Sequence, residues 1–178
     1  MANKGNEVVN RLLDEAESEM RCAFANDRRT ARMFAAQRGK GELVMPHPRL
    51  YVRVGLWESL LETERQLFLL RTYAALHPGW AFGSHSAAAV HGLFVDQRTL
   101  GMVHVASLYQ RRSAFVEHRI YRAGEFETRG RLRVTPLDAT MLACMRESGF
   151  PEALAIADSG LSLSGLSNAE ALERFARK

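Results

Sequence analysis

The strongest chemical bias in the chain lies in residues 28–53, RRTARMFAAQRGKGELVMPHPRLYVR. From Arg21 to Arg53 there are eight Lys/Arg against two acids, Asp27 and Glu42, a local balance of +6 in a chain of net charge +4. The remaining residues therefore sum to −2. Cations confined to one segment suit an anionic partner for that segment and not general solubility. The helical spacing puts Arg28, Arg29 and Arg32 on one face and Ala31, Phe34 and Ala35 on the other. A helix built this way can dock on its own domain and present arginines to the major groove of duplex DNA. Thr30 and Gln37 add hydrogen-bonding groups, and Arg38 and Lys40 extend the cationic surface. His47 and Arg49, in the turn that follows, are expected beside the adjacent phosphates. The competing reading is a solvated basic face with no ligand.

Other chemistry has weaker support. His85, His91, His104 and His118 share one segment, but His85 and His91 are six apart and miss the i, i+4 spacing of a helical metal pair. His104 lies in a strand-like pattern, where a half-buried histidine with a satisfied partner is the commoner outcome. No HExxH, CxxC, P-loop or Gly-x-Ser-x-Gly element occurs. Ser84 and Ser86 read as helix caps, as do Asp138 and Asp158 near helix ends. Cys22 and Cys144 read as two small buried thiols in helix-like segments of a reducing compartment. A second basic run, 111–133, holds seven arginines against three acids and reads either as a solvated loop and strand edge or as a second anionic contact. No catalytic, metal or cofactor site is expected.

The elements that must position the basic helix follow from periodicity and turn residues. A first helix is expected over 6–25 and a second over 28–38, with Asn26-Asp27 as turn and cap. Gly39-Lys40-Gly41 breaks the second helix, and β-prone runs at 42–45 and 50–54 flank Pro46-His47-Pro48-Arg49 as a hairpin. Helix, helix, hairpin is the order of a winged helix-turn-helix, so residues 1–55 are expected to form that domain. Residues 56–178 then form a mixed α/β (α+β) domain: a helix over 58–76, a short run at 80–82, and a small helix over 87–91 closed by Gly92. Strands are expected at 101–107, 115–122 and 131–134. The last third is helical, at 136–147, 151–157 and 168–176. The polar N-terminus and the absence of a long apolar run predict a soluble, cytoplasmic chain without a membrane contact.

The order of basic helix, Gly41-Glu42-Leu43-Val44, turn and Leu50-Tyr51-Val52-Arg53 resembles the N-terminal winged helix of AbiEi-type antitoxins of type IV toxin–antitoxin systems. Ser86-Ala87-Ala88-Ala89-Val90-His91-Gly92-Leu93 is similar to a later element of that family. Met102-Val103-His104-Val105, Arg133-Val134-Thr135-Pro136 and Ala157-Asp158-Ser159 resemble further landmarks, so the likeness runs from about residue 27 to 178. The resemblance implies a DNA-binding transcription regulator. It would bind inverted repeats in its own promoter and oppose a nucleotidyltransferase toxin, with or without a direct complex. Many members of the family continue into a nuclease-like domain, so a short form and the N-terminal part of a longer protein are both open. The alternative to DNA binding is a protein-interaction or regulatory module whose basic helix packs on an acidic partner.

Overall fold

The computed structural model describes residues 2–165, with side chains from residue 5 onward. Seven α-helices and two sheets make up the described residues, a mixed α/β class with a helical C-terminal region. The helix expected over 168–176 lies outside the described residues. The chain divides into two compact units, Met1–Leu76 and His77–Lys178. The division thus falls after Leu76, not at residue 55 as the pattern suggested.

The first unit opens with α1 (Ala2–Ser18), β1 (Ala23–Phe24), α2 (Arg28–Gly39), β2 (Leu43–Val44) and β3 (Leu50–Arg53). Two helices follow, α3 (Val54–Ser59) and α4 (Glu62–Leu76). The three strands form an antiparallel sheet in the order β1-β3-β2, with Ala23 opposite Tyr51 and Val44 opposite Val52. The first helix ends earlier than its periodicity suggested. Met20 turns into the left-handed region (φ 54°), the Arg21 N–H returns to the Ala16 carbonyl at 3.0 Å, and Ala23-Phe24 pairs with β3. A strand therefore separates the first two helices, and the observed order is helix, strand, helix, hairpin.

The single helix expected over 58–76 is two. Leu60 is extended, and the Leu61 N–H donates to the Glu64 carboxylate at 2.7 Å. That reach-back bond starts a new helix and leaves Leu61 exposed. α4 belongs to the first unit because its side chains close that unit's backbone. The Thr72 hydroxyl accepts the Cys22 N–H at 2.8 Å while donating to the Phe68 carbonyl at 2.7 Å. Cys22 is therefore a buried thiol in the turn before β1, not in a helix.

Val9, Leu13 and Ala16 of α1, Phe34 of α2, Leu43 of β2 and Tyr51 of β3 form the core of this unit. At its centre the Phe34 and Tyr51 rings stack with centroids 4.5 Å apart and planes 5° from parallel. Arg53, at the end of β3, pairs with Asp14 and Glu17 of α1 and so ties the sheet to that helix.

The second unit carries β4 (Ala81–Phe82), α5 (Ser84–His91), β5 (Val103–Ser107), β6 (Arg111–Arg112) and β7 (Val116–Ile120). Then come β8 (Glu127–Arg129), β9 (Leu132–Val134), α6 (Leu137–Glu147) and α7 (Phe150–Ser164). The sheet order is β6-β7-β5-β4-β9-β8. The inner pairs β5–β7 and β4–β9 are parallel, while β4–β5 and both edge pairs are antiparallel. The edge strands β6 and β8 are too short for periodicity to reveal. α5 packs on α6 and α6 on α7, around Ala88, Leu93, Met141, Cys144 and Ile156. α7 runs well past residue 157, the end its pattern suggested, because no residue before Gly165 takes the left-handed turn that stops it.

Phe34→Ala removes a fully buried ring and its stacked partner contact. We expect it to cost about 3–5 kcal/mol of stability in denaturant unfolding, with Phe34→Leu costing clearly less.

Candidate nucleic-acid interface

α2 begins where Asp27 can cap it. The Asp27 carboxylate accepts the Thr30 N–H at 2.8 Å and the Thr30 hydroxyl at 2.6 Å. These bonds from Thr30 hold the carboxyl below its usual range. Helical phase then divides the residues. Phe34 and Gln37 are buried, whereas Arg28, Arg29, Arg32, Ala35, Ala36 and Arg38 are exposed. Ala35 therefore lies with the arginines and not with Phe34. Exposed alanines beside the arginines leave room for a backbone or groove wall to come close.

Six of the nine residues expected to contact DNA are exposed cations. Arg28, Arg29 and Arg32 line an open depression beside α1, together with Glu7, Asp27, Val8 and Met33. Arg38 and Lys40 are exposed at the far end of α2, and Arg49 is exposed in the hairpin turn. The Ala25 N–H donates to the Arg49 carbonyl at 3.0 Å, so the turn sits beside the start of α2. Arg49 itself takes a left-handed backbone (φ 66°), and its guanidinium lies 5.1 Å from the Phe24 ring centroid. The ion pairs of this unit use Arg21, Arg53 and Arg65, and the six cations above form none among the described residues.

Three expected contacts are placed otherwise. Gln37 is 5 % exposed, and its amide lies 3.5 Å from Asn6 Oδ1, so it fastens α2 to α1. His47 is 3 % exposed and shares a 3.0 Å hydrogen bond with the Tyr73 hydroxyl, so it holds the hairpin turn to α4. Thr30 is half-buried and committed to the Asp27 cap.

The second unit holds a polar cluster that sequence spacing did not reveal. Ser84, the first residue of α5, takes a left-handed conformation (φ 48°), a strained position for a residue with a side chain. Gly83 occupies the cap position, so Ser84 and Ser86 do not cap α5. The Ser84 hydroxyl donates to Glu147 at 2.6 Å, accepts from Arg119 at 3.2 Å and lies 3.1 Å from His85 Nδ1. Arg119 also pairs with Glu147 and, at 3.1 Å, with Glu117. The Ser86 hydroxyl instead accepts the His104 N–H at 2.8 Å and so joins α5 to β5. The members come from β4–α5, β5, β7 and α6, far apart in sequence, so no local motif marks them.

Charge in this cluster is carried by the arginine and the glutamates. His104 Nε2 lies 3.7 Å from Glu117, yet burial, with Arg119, His85 and Arg112 nearby, pulls His104 down to about 3. His85 is also held below its ordinary value, because burial outweighs Glu147 and Glu152. Both imidazoles are neutral, so these contacts are not ion pairs at neutral pH. Burial pushes the Cys22 and Cys144 thiols up to about 12, which leaves both as inert packing groups.

Together these features define a two-unit α/β chain whose first unit exposes an arginine-faced helix. Comparison with protein-family models, curated proteins and solved structures found no match to the chain. No helix among the described residues is long and apolar enough to cross a membrane.

The buried histidines set an acid limit. Above the ordinary imidazole value of 6.5, His104 is neutral both folded and unfolded. As pH falls from 6.5 toward about 3, the unfolded chain takes up a proton that folded His104 refuses, and stability is lost. The melting temperature should therefore fall across that window, and His104→Gln should flatten the fall.

Proposed function

We propose that this chain is a DNA-binding transcriptional regulator that acts in the cytoplasm as the antitoxin of a type IV toxin–antitoxin system. In this reading it represses its own promoter through inverted repeats and opposes a nucleotidyltransferase toxin. One observation carries the DNA-binding part: Arg28, Arg29, Arg32, Arg38, Lys40 and Arg49 are exposed and form no ion pair among the described residues. Six cations along one helix and its neighbouring turn suit the regular phosphate spacing of a duplex. The buried side chains of α2 keep its solvent face fixed, which favours recognition by a rigid helix over a mobile tail. The antitoxin part rests on the sequence resemblance.

The refined contact set consists of those six cations, without Gln37 and His47. Binding to duplex carrying the upstream region should weaken steeply with salt, with a slope in log K against log salt of about −0.9 for each phosphate contacted. Arg29→Glu and Arg32→Glu should each reduce both affinity and slope, whereas Gln37→Glu should act through the fold and lower the melting temperature. A gel shift with no binding at low salt would remove the regulator reading. A stably co-purifying acidic protein, with indifference to DNA, would replace it with an interaction module. Co-expression with a nucleotidyltransferase encoded beside it tests the antitoxin role by survival of the host.

A further inference from the structure

The second unit carries a chain of four rings that the reading above does not use. His77 and Trp80 stack with centroids 4.0 Å apart and planes 12° from parallel. Tyr109 and His118 stack at 5.0 Å and 23°. Trp80 meets His118 edge to face at 5.1 Å, which joins the two pairs into one array. The array draws on the turn before β4, the loop after β5 and strand β7.

Topology explains why the array is presented to solvent. β7 lies between β5 and β6, so residues 108–110 must cross the end of β7 to join the two strands. Two strand spacings come to about 10 Å, within the reach of so short a link, and the chain bends at residues 108 and 109 as it crosses. Leu108 is 82 % exposed and Tyr109 is 55 % exposed. The Tyr109 backbone is nevertheless fixed. The Ser107 hydroxyl accepts its N–H at 3.2 Å and donates to its carbonyl at 2.5 Å. Tyr109 is thus a positioned ring with one face on His118 and the other outward.

Cations lie on the same side of the sheet as that face. Arg111 lies opposite His118 in the β6–β7 register, while Arg112 lies opposite Glu117 and so belongs to the other face. The Tyr121 N–H donates to the Ser107 carbonyl at 2.8 Å, which puts Arg122 at the same end of the sheet as Tyr109. Arg111 and Arg122 are exposed and form no ion pair among the described residues, while Glu117 is taken by Arg119 and Glu127 by Arg129. Burial, with Arg111 and His77 nearby, holds His118 below its ordinary value, so the imidazole under Tyr109 is neutral and adds no charge to the stack.

The geometry points to a stacking platform for single-stranded nucleic acid. An unpaired base would lie on the outer face of Tyr109, with the flanking phosphates held by Arg111 and Arg122. Duplex bases are already stacked and cannot offer a free face, so this ligand differs from the one proposed for α2. Sequence preference should be weak, since every base has a π-face.

The test uses the full chain and a fluorescein-labelled oligothymidylate of about 20 nucleotides, followed by anisotropy at about 50 mM salt. Wild type should bind, and Tyr109→Ala should weaken binding roughly 5- to 150-fold, the range expected for one stacked base. Tyr109→Phe should bind as wild type does, because the ring and not the hydroxyl is used. Tyr109 is exposed, and unchanged melting of Tyr109→Ala would show that the fold is retained. Arg29→Glu should leave oligothymidylate binding intact, which separates this surface from α2. Wild-type affinity in Tyr109→Ala, or no binding by wild type, overturns the proposal. Binding to anionic vesicles without oligothymidylate binding would assign the patch to a lipid surface and likewise overturn it.

Discussion

The Phe34–Tyr51 stack is the contact on which the first unit depends. It presses the buried face of α2 onto β3, and β3 is the strand that both β1 and β2 pair with. With Phe34 fixed inward, helical phase alone sends Arg28, Arg29 and Arg32 outward. The arginines need no polar scaffold of their own. Apolar packing on one side of the helix sets the electrostatics on the other, and the Asp27 cap fixes where the helix starts.

The second unit is organised by a different constraint. Its sheet mixes parallel and antiparallel pairs, so connections must pass over strand ends, and two places carry the consequences. At the turn from β4 to α5 the backbone is strained at Ser84, and its hydroxyl is held by Glu147 and Arg119. At the crossing from β5 to β6 the loop bends over the strand end, and Leu108 and Tyr109 are exposed. At the first place Arg119 is paired with both Glu117 and Glu147. The cations around the second have no acidic partner among the described residues.

Much of this was legible in local pattern. The start of α2, its break at Gly39 and the hairpin came from a cap residue, glycines and prolines. The α5 stop at Gly92 (φ 78°) came from the one residue type that adopts that conformation freely. Six of the nine expected contacts stayed on the surface because exposure of arginine and lysine is the default where no carboxylate competes. Errors fell where long-range contacts overruled pattern. Ala23-Phe24 left its helix to pair with β3, and Gln37 and His47 turned inward to Asn6 and Tyr73. The break in the helix expected over 58–76 is the exception, a local cap by Glu64.

By itself, the sequence determined the mixed α/β class, the place of the basic helix and the sign of its exposed face. Those depend on periodicity, charge and turn chemistry within a few residues. Only the tertiary structure decided which polar residues are buried, where the two units divide and which rings form an array. Residues such as Trp80, Tyr109 and His118, or Ser84, Arg119 and Glu147, meet through strand order. Strand order is set by packing across the whole sheet, and no local spacing encodes it.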